Sequence, residues 1–142
     1  MYKVCIVDEN PLIRSVLKTV LSSNEFEVSE FCEISERCHD FLKSCRSGCQ
    51  KSIPCYGMLI LFNCERDSSG VEFLRFIDKY QCPCATSFKV LYTCEELKQE
   101  DIEKVKNLHV QIVEKHNPAV DLFQIIEKYK KWYDTEKSKF IK

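Results

Sequence analysis

Two hydrophobic periodicities alternate along this chain from end to end, and that alternation restricts its fold more than any other feature. Residues 2–7 form a short apolar run of strand type, with further runs near 26–31, 58–62, 88–92 and 110–113. Between them the apolar residues recur at helical spacing. Pro11 suits a first helical turn and is followed by Leu12, Ile13, Val16, Leu17, Val20 and Leu21. Ser35 can cap a second helix bearing Cys38, Phe41, Leu42 and Cys45, and Gly70 precedes a third with Val71, Leu74, Ile77 and Tyr80. A fourth is expected near 95–107 with Leu97, Ile102 and Val105. Pro118 opens a long last helix whose apolar face is predicted to hold Val120, Phe123, Ile126, Tyr129 and Tyr133. Strands that alternate with helices predict an α/β fold: a doubly wound, five-stranded parallel sheet with helices on both faces. In such sheets the functional crevice lies beyond the carboxyl ends of the strands, near the switch in strand order. Asp8, Glu9, Phe62, Asn63, Thr93 and Lys115 all stand at those ends.

Bulk properties remove several function classes. The chain has 142 residues, enough for one ordinary domain with a true core, so we expect one domain over 1–142, with its core at about 2–130 and a lysine-rich helix end at about 131–142. The formal net charge is −1, which offers no electrostatic case for nucleic acid or an anionic membrane. No apolar run approaches membrane-spanning length and no signal-peptide pattern opens the chain, so a cytoplasmic protein is expected, without membrane attachment. Only three glycines occur, and neither a phosphate-binding glycine loop, a metalloprotease helix nor a serine nucleophile elbow is present, so an enzyme is not expected.

The strand-end residues carry a resemblance. Val7-Asp8-Glu9-Asn10-Pro11, the stretch from Tyr56-Gly57 through Phe62-Asn63 to Gly70, Thr93, and Lys115 placed 22 residues after it together resemble the receiver domain of bacterial response regulators. The resemblance covers about residues 2–130 and implies the flavodoxin-like receiver topology and a place in two-component signal transduction. It implies that Asp8 and Glu9 match the carboxylates that hold Mg²⁺ in the family, that Thr93 matches the hydroxyl residue contacting the phosphoryl group, and that Lys115 matches the lysine pairing with it. The position of the family's phosphoacceptor aspartate falls on Phe62, which has no nucleophilic oxygen. A register shifted by one residue would put Asn63 there, and its amide is no useful nucleophile either.

Further departures surround that position. Glu9 stands in place of the usual Asp, and with one anionic ligand missing at 62 only weak Mg²⁺ binding, or none, is expected of Asp8 and Glu9. Residues Glu65-Arg66 replace the family's loop proline, and His116 replaces the proline after the lysine. Ile112 stands three before Lys115, where signalling members carry a switch aromatic. The expectation is a pseudo-receiver: a phosphorylation-independent module for protein–protein contact. Phe62 would fill the vacated pocket, Lys115 would pair with Asp8 or Glu9, and a fixed state would suit constitutive binding. The partner would be a signalling protein, or a second copy, meeting the face spanning about 95–133, where Tyr129, Trp132 and Tyr133 could serve as anchors. No direct nucleic-acid contact is expected, and no attached DNA-binding domain.

Other readings compete. Asp8 and Glu9 taken alone are an ordinary solvated strand-end pair. An active phosphoacceptor using a displaced carboxylate, Glu65 or Asp67, is one alternative. The ten cysteines offer another, a redox or metal sensor, with Cys82-Pro83-Cys84 and the group Cys45, Cys49 and Cys55 as its elements, and His39 and His116 as further ligands. Against it, cytosolic thiols are usually reduced, and Cys5 reads as a small core residue.

Overall fold

A computed structural model of the chain describes residues 2–32, 56–63 and 69–136. The helix expected after Ser35, the long loop at 46–54, Glu65, Asp67 and Cys38, Cys45, Cys49, Cys55 and Cys64 lie outside the described residues, as does His39.

Five strands form one sheet: β1 (Tyr2–Val7), β2 (Phe26–Phe31), β3 (Met58–Leu61), β4 (Phe88–Thr93) and β5 (Val110–Glu114). Every pairing is parallel, in the order β2-β1-β3-β4-β5. The central strands explain their own sequence. All of β3 and β4 is buried, which favours apolar residues because helices cover both faces; β3 is apolar throughout, and β4 is interrupted by Lys89 and closed by Thr93. The edge strands β2 and β5 are mixed in burial and in composition.

Around the sheet lie α1 (Pro11–Ser22), α2 (Ser69–Lys79), α3 (Gln99–Val105) and α4 (Pro118–Glu136). Strand alternation divides the core in two. Val4, Ile6, Ile60, Val90 and Tyr92 face α1 and α4, packing on Leu17, Leu21, Leu122, Ile125 and Tyr129. Cys5, Val7, Leu59, Leu61 and Leu91 face the other way, onto Val71, Phe73, Leu74 and Ile77 of α2 and Val105 of α3. Helix starts follow their sequence cues. The Asn10 side chain accepts from the Leu12 and Ile13 amides, with Pro11 at the first helical position.

Three expectations need correction. The fourth predicted helix covers only Gln99–Val105, because Lys98 is extended (φ −63°, ψ 148°) and its carbonyl takes the first helical hydrogen bonds, from Asp101 and Ile102. Leu97 still packs against the core, but from the loop. On α4 the buried side is Asp121, Leu122, Ile125, Ile126 and Tyr129, whereas Val120 and Phe123 are 53% and 59% exposed. The helix is turned so that Asp121 reaches the sheet, which a purely apolar reading of its face cannot anticipate. Finally, Tyr129 is no surface anchor. It is fully buried among Tyr2, Phe26, Phe88, Trp132 and Tyr133, an aromatic cluster at the amino end of the sheet, and Trp132 and Tyr133 pack against that core.

Candidate functional site

The strand order reverses at β1: the chain goes outward to β2, then crosses back to β3 on the other side. The carboxyl ends of β1 and β3 therefore flank the crevice, with Asp8 following one and Phe62 the other. The Phe62 amide donates to the Val7 carbonyl at 2.9 Å, which extends the ladder and sets Phe62 beside the turn into Asp8.

Asp8 is 2% exposed, and both carboxylate oxygens are engaged. Oδ1 accepts from the Asn10 amide at 2.9 Å, and Oδ2 lies 2.7 Å from Lys115 Nζ. Arg14 Nη1 donates to the Asp8 carbonyl at 2.6 Å, and Arg14 also approaches Glu30 at 3.5 Å. Glu9, one residue on, is exposed. A hard divalent cation needs several oxygen ligands in near-octahedral array. One carboxylate already shared with a lysine, one exposed carboxylate and a phenylalanine do not fit that demand, and no group of three His, Cys, Asp or Glu side chains suited to a metal occurs among the described residues.

Phe62 is 9% exposed and belongs to the apolar cluster of Val7, Leu61, Val71, Phe73 and Leu91. Asn63 plays a structural part, since its Oδ1 accepts from the Val71 amide at 3.1 Å and so satisfies a donor in the first turn of α2. Gly70, in that same turn, lies so close to the residues at the ends of β3 and β4 that a Cβ would sit 2.5 Å from the Phe62 carbonyl oxygen and 2.7 Å from Leu91 Cδ1. Backbone thus meets backbone there, and Gly70 is the residue that permits it.

Thr93 is 4% exposed, and its hydroxyl donates to the Glu95 carbonyl at 2.7 Å. Its own carbonyl accepts from the Lys115 amide at 2.6 Å, so the ends of β4 and β5 are stitched together where Lys115 departs. The Lys115 ammonium then lies 5.4 Å from the centre of the Tyr92 ring, a cation–π distance, on its way to Asp8. The structure therefore joins Asp8 to Lys115 directly and sets Thr93 next to Lys115, while Glu9 stays outside this group.

Sequence reasoning passed over two residues beneath Lys115. Tyr92 is fully buried and donates its hydroxyl to Asp121 Oδ2 at 2.7 Å; the same oxygen accepts from the His116 amide at 2.9 Å. Burial first, then the bond to Asp121, raises the Tyr92 pKa well above the ordinary tyrosine value. An available cue was the pair of a polar-tipped aromatic in a buried strand and an aspartate one turn into a helix. Lys89, on the opposite face of β4, was also missed; it is 5% exposed.

No protein-family model matches this chain, and no curated protein does. Solved structures do. The CheY-like response regulator receiver domain protein from Methanospirillum hungatei aligns with a TM-score of 0.70 at 18% identity, over 95% of this chain and 98% of that one. A signal receiver domain of a Luxo repressor protein from Vibrio parahaemolyticus gives 0.71 at 14% identity, over 96% and 95%. The chemotaxis response regulator CheY4 of Vibrio cholerae gives 0.67 at 18% identity, over 91% and 98%. The class of fold is therefore plain. This chain has the CheY-like, flavodoxin-like receiver topology, with five parallel strands in the order observed.

Proposed function

We propose that the chain is a receiver-like protein-interaction module of signal transduction that works without aspartyl phosphorylation and without catalytic turnover. One observation carries this reading: the crevice at the switch point holds a buried phenylalanine and an Asp8 whose charge is already matched by Lys115. A phosphoryl group would find neither an acceptor oxygen at 62 nor an uncommitted lysine. Mg²⁺ has no role in this reading beyond weak association with Asp8 or Glu9. The receiver fold of the similar structures supports the signalling context, and the described residues contain no helix long and apolar enough to cross a membrane.

The contact surface falls on the 95–133 face, where Ile112, Val120 and Phe123 are exposed apolar side chains. These replace Tyr129 as candidate anchors for a protein partner or for a second copy. The deciding experiment is a native mass spectrum of the purified chain before and after incubation with Mg²⁺ and acetyl phosphate. No adduct is expected. A stoichiometric phosphoryl adduct would overturn the proposal and turn attention to Glu65 and Asp67 as displaced acceptors.

A further inference from the structure

Asp121 is 7% exposed, and among the described residues no cation pairs with it. A buried carboxylate without a counter-charge needs strong hydrogen bonds. It has three sources of compensation. Tyr92 donates its hydroxyl at 2.7 Å, His116 donates its amide at 2.9 Å, and the first turn of α4 contributes its positive end. Each ties a different element to one oxygen atom or its surroundings: β4 through Tyr92, the loop after Lys115 through His116, and α4 through Asp121 itself. The Asp121 amide in turn donates to the Asn117 carbonyl at 2.8 Å, and the Asn117 side chain accepts from Ala119 and Val120, so the whole turn from Lys115 to Asp121 is bonded internally.

That turn carries Lys115. Its amide is bonded to Thr93, the residue after Tyr92, and its ammonium lies over the Tyr92 ring before it reaches Asp8. The same tyrosine therefore contacts the lysine through its ring face and the helix through its hydroxyl. We infer that Tyr92 and Asp121 form a latch: their hydrogen bond holds the first turn of α4 against β4 and thereby positions Lys115 on Asp8. Tyr92 and Asp121 are positioning residues, and the latch couples α4, which bears the exposed Val120 and Phe123, to the crevice at the switch point. A displacement of the first turn of α4 breaks the bond and frees the ammonium. The inference rests on the reading of the crevice as a site locked by the Asp8–Lys115 pair.

The test is the chemical reactivity of the Lys115 amine in the full-length chain. Brief acetylation with an N-hydroxysuccinimide ester, followed by digestion and mass spectrometry, gives the labelling of Lys115 relative to the exposed Lys98. Asp8→Asn serves as the released reference. Tyr92→Phe removes one oxygen and keeps the ring beneath the ammonium; Asp121→Ala removes the other half of the latch. Both are expected to raise the Lys115 ratio about two- to tenfold, the range that follows from the net worth of one hydrogen bond, towards the Asp8→Asn level. Circular dichroism and urea titration establish that the compared proteins are folded, and Tyr92→Phe suffices if Asp121→Ala is not. An unchanged ratio in a folded Tyr92→Phe protein overturns the latch, as does an Asp8→Asn protein whose Lys115 is no more reactive than the parent's. The phosphoryl-adduct experiment is independent of this one. An adduct on the parent chain removes the functional reading and leaves the latch standing, whereas unchanged labelling without an adduct removes the latch alone.

Discussion

Lys115 Nζ stands 2.7 Å from Asp8 Oδ2, with the two side chains 12% and 2% exposed. An ion pair so sheltered is costly to break from one side, because the remaining charge stays buried. Among the described residues, Lys115→Met leaves the Asp8 carboxylate with the Asn10 amide alone, and a loss of roughly 3 kcal/mol is expected. The double variant Asp8→Asn/Lys115→Met removes both charges and should lose less than the sum of the two single variants. Urea denaturation of the four proteins measures this coupling. Strict additivity would show that the pair contributes nothing as a pair.

The aromatic ring at 62 has a different role. Phe62 packs among Val7, Leu61, Val71 and Leu91, so Phe62→Ala should cost about 3 kcal/mol in unfolding free energy. Phe62→Asp is the more informative change. It places an anionic oxygen donor between Asp8 and the start of α2, and Mg²⁺ should then stabilise the protein as ligands do, by about 1.4 kcal/mol at a free concentration ten times the dissociation constant. Thermal unfolding with and without Mg²⁺ makes the comparison. A Phe62→Asp protein as indifferent to Mg²⁺ as its parent would mean that this end of the sheet is not the remnant of a cation site.

Gly70 yields a prediction in pure sterics. An added Cβ would lie 2.5 Å from the Phe62 carbonyl oxygen, and a backbone atom cannot swing aside as a flexible side chain can. Gly70→Ala should therefore destabilise by about 2 kcal/mol, the scale of overpacking in a dense interior, despite the better helix propensity of alanine. Equilibrium denaturation suffices to check it, and a neutral or stabilising outcome would mean that α2 can shift away from β3 at little cost.

Much of this was legible in the sequence, and the reasons for success and failure differ by residue. Short apolar runs flanked by helical ones define the sheet because burial on both faces makes β3 wholly apolar and β4 mostly so. Asn10-Pro11 marks a helix start through local hydrogen bonding alone. The spacing of Asp8, Thr93 and Lys115 placed them at one end of the sheet by topology. The buried face of α4 was misjudged because it depends on a tertiary bond: Asp121 turns inward to meet Tyr92 and His116, leaving Val120 and Phe123 outside. Tyr129 was misassigned to the surface for a related reason, since its burial depends on Tyr2, Phe26 and Phe88 arriving from distant strands.

Lys89 was invisible for the opposite reason: a lysine in a central strand violates the pattern that identified the strand. It lies between Leu59 and Val110 in the sheet, 5% exposed, and donates Nζ to the Ala85 carbonyl at 2.5 Å. Burial lowers its pKa below the ordinary lysine value of 10.5, against the opposing pull of the Asp78 carboxylate. The consequence for stability has a definite sign. Below the lowered folded value both states hold the proton, and the folded chain bears the full cost of a buried ammonium. As pH climbs from that value towards 10.5, the folded lysine sheds its proton while the unfolded one keeps it, so this group's contribution to stability improves. Lys89→Met keeps the apolar stem and removes the charge. It should be more stable than the parent by about 1 kcal/mol at neutral pH, since buried charges are often profitably replaced by well-packed apolar groups, with the lost bond to Ala85 subtracting from the gain. That advantage should shrink as the pH is raised towards 10.5. Urea titrations of both proteins at several alkaline pH values give the difference curve directly. A difference that stays flat would mean that Lys89 titrates alike in the folded and unfolded chains, and that its ammonium is better solvated than its place in the sheet implies.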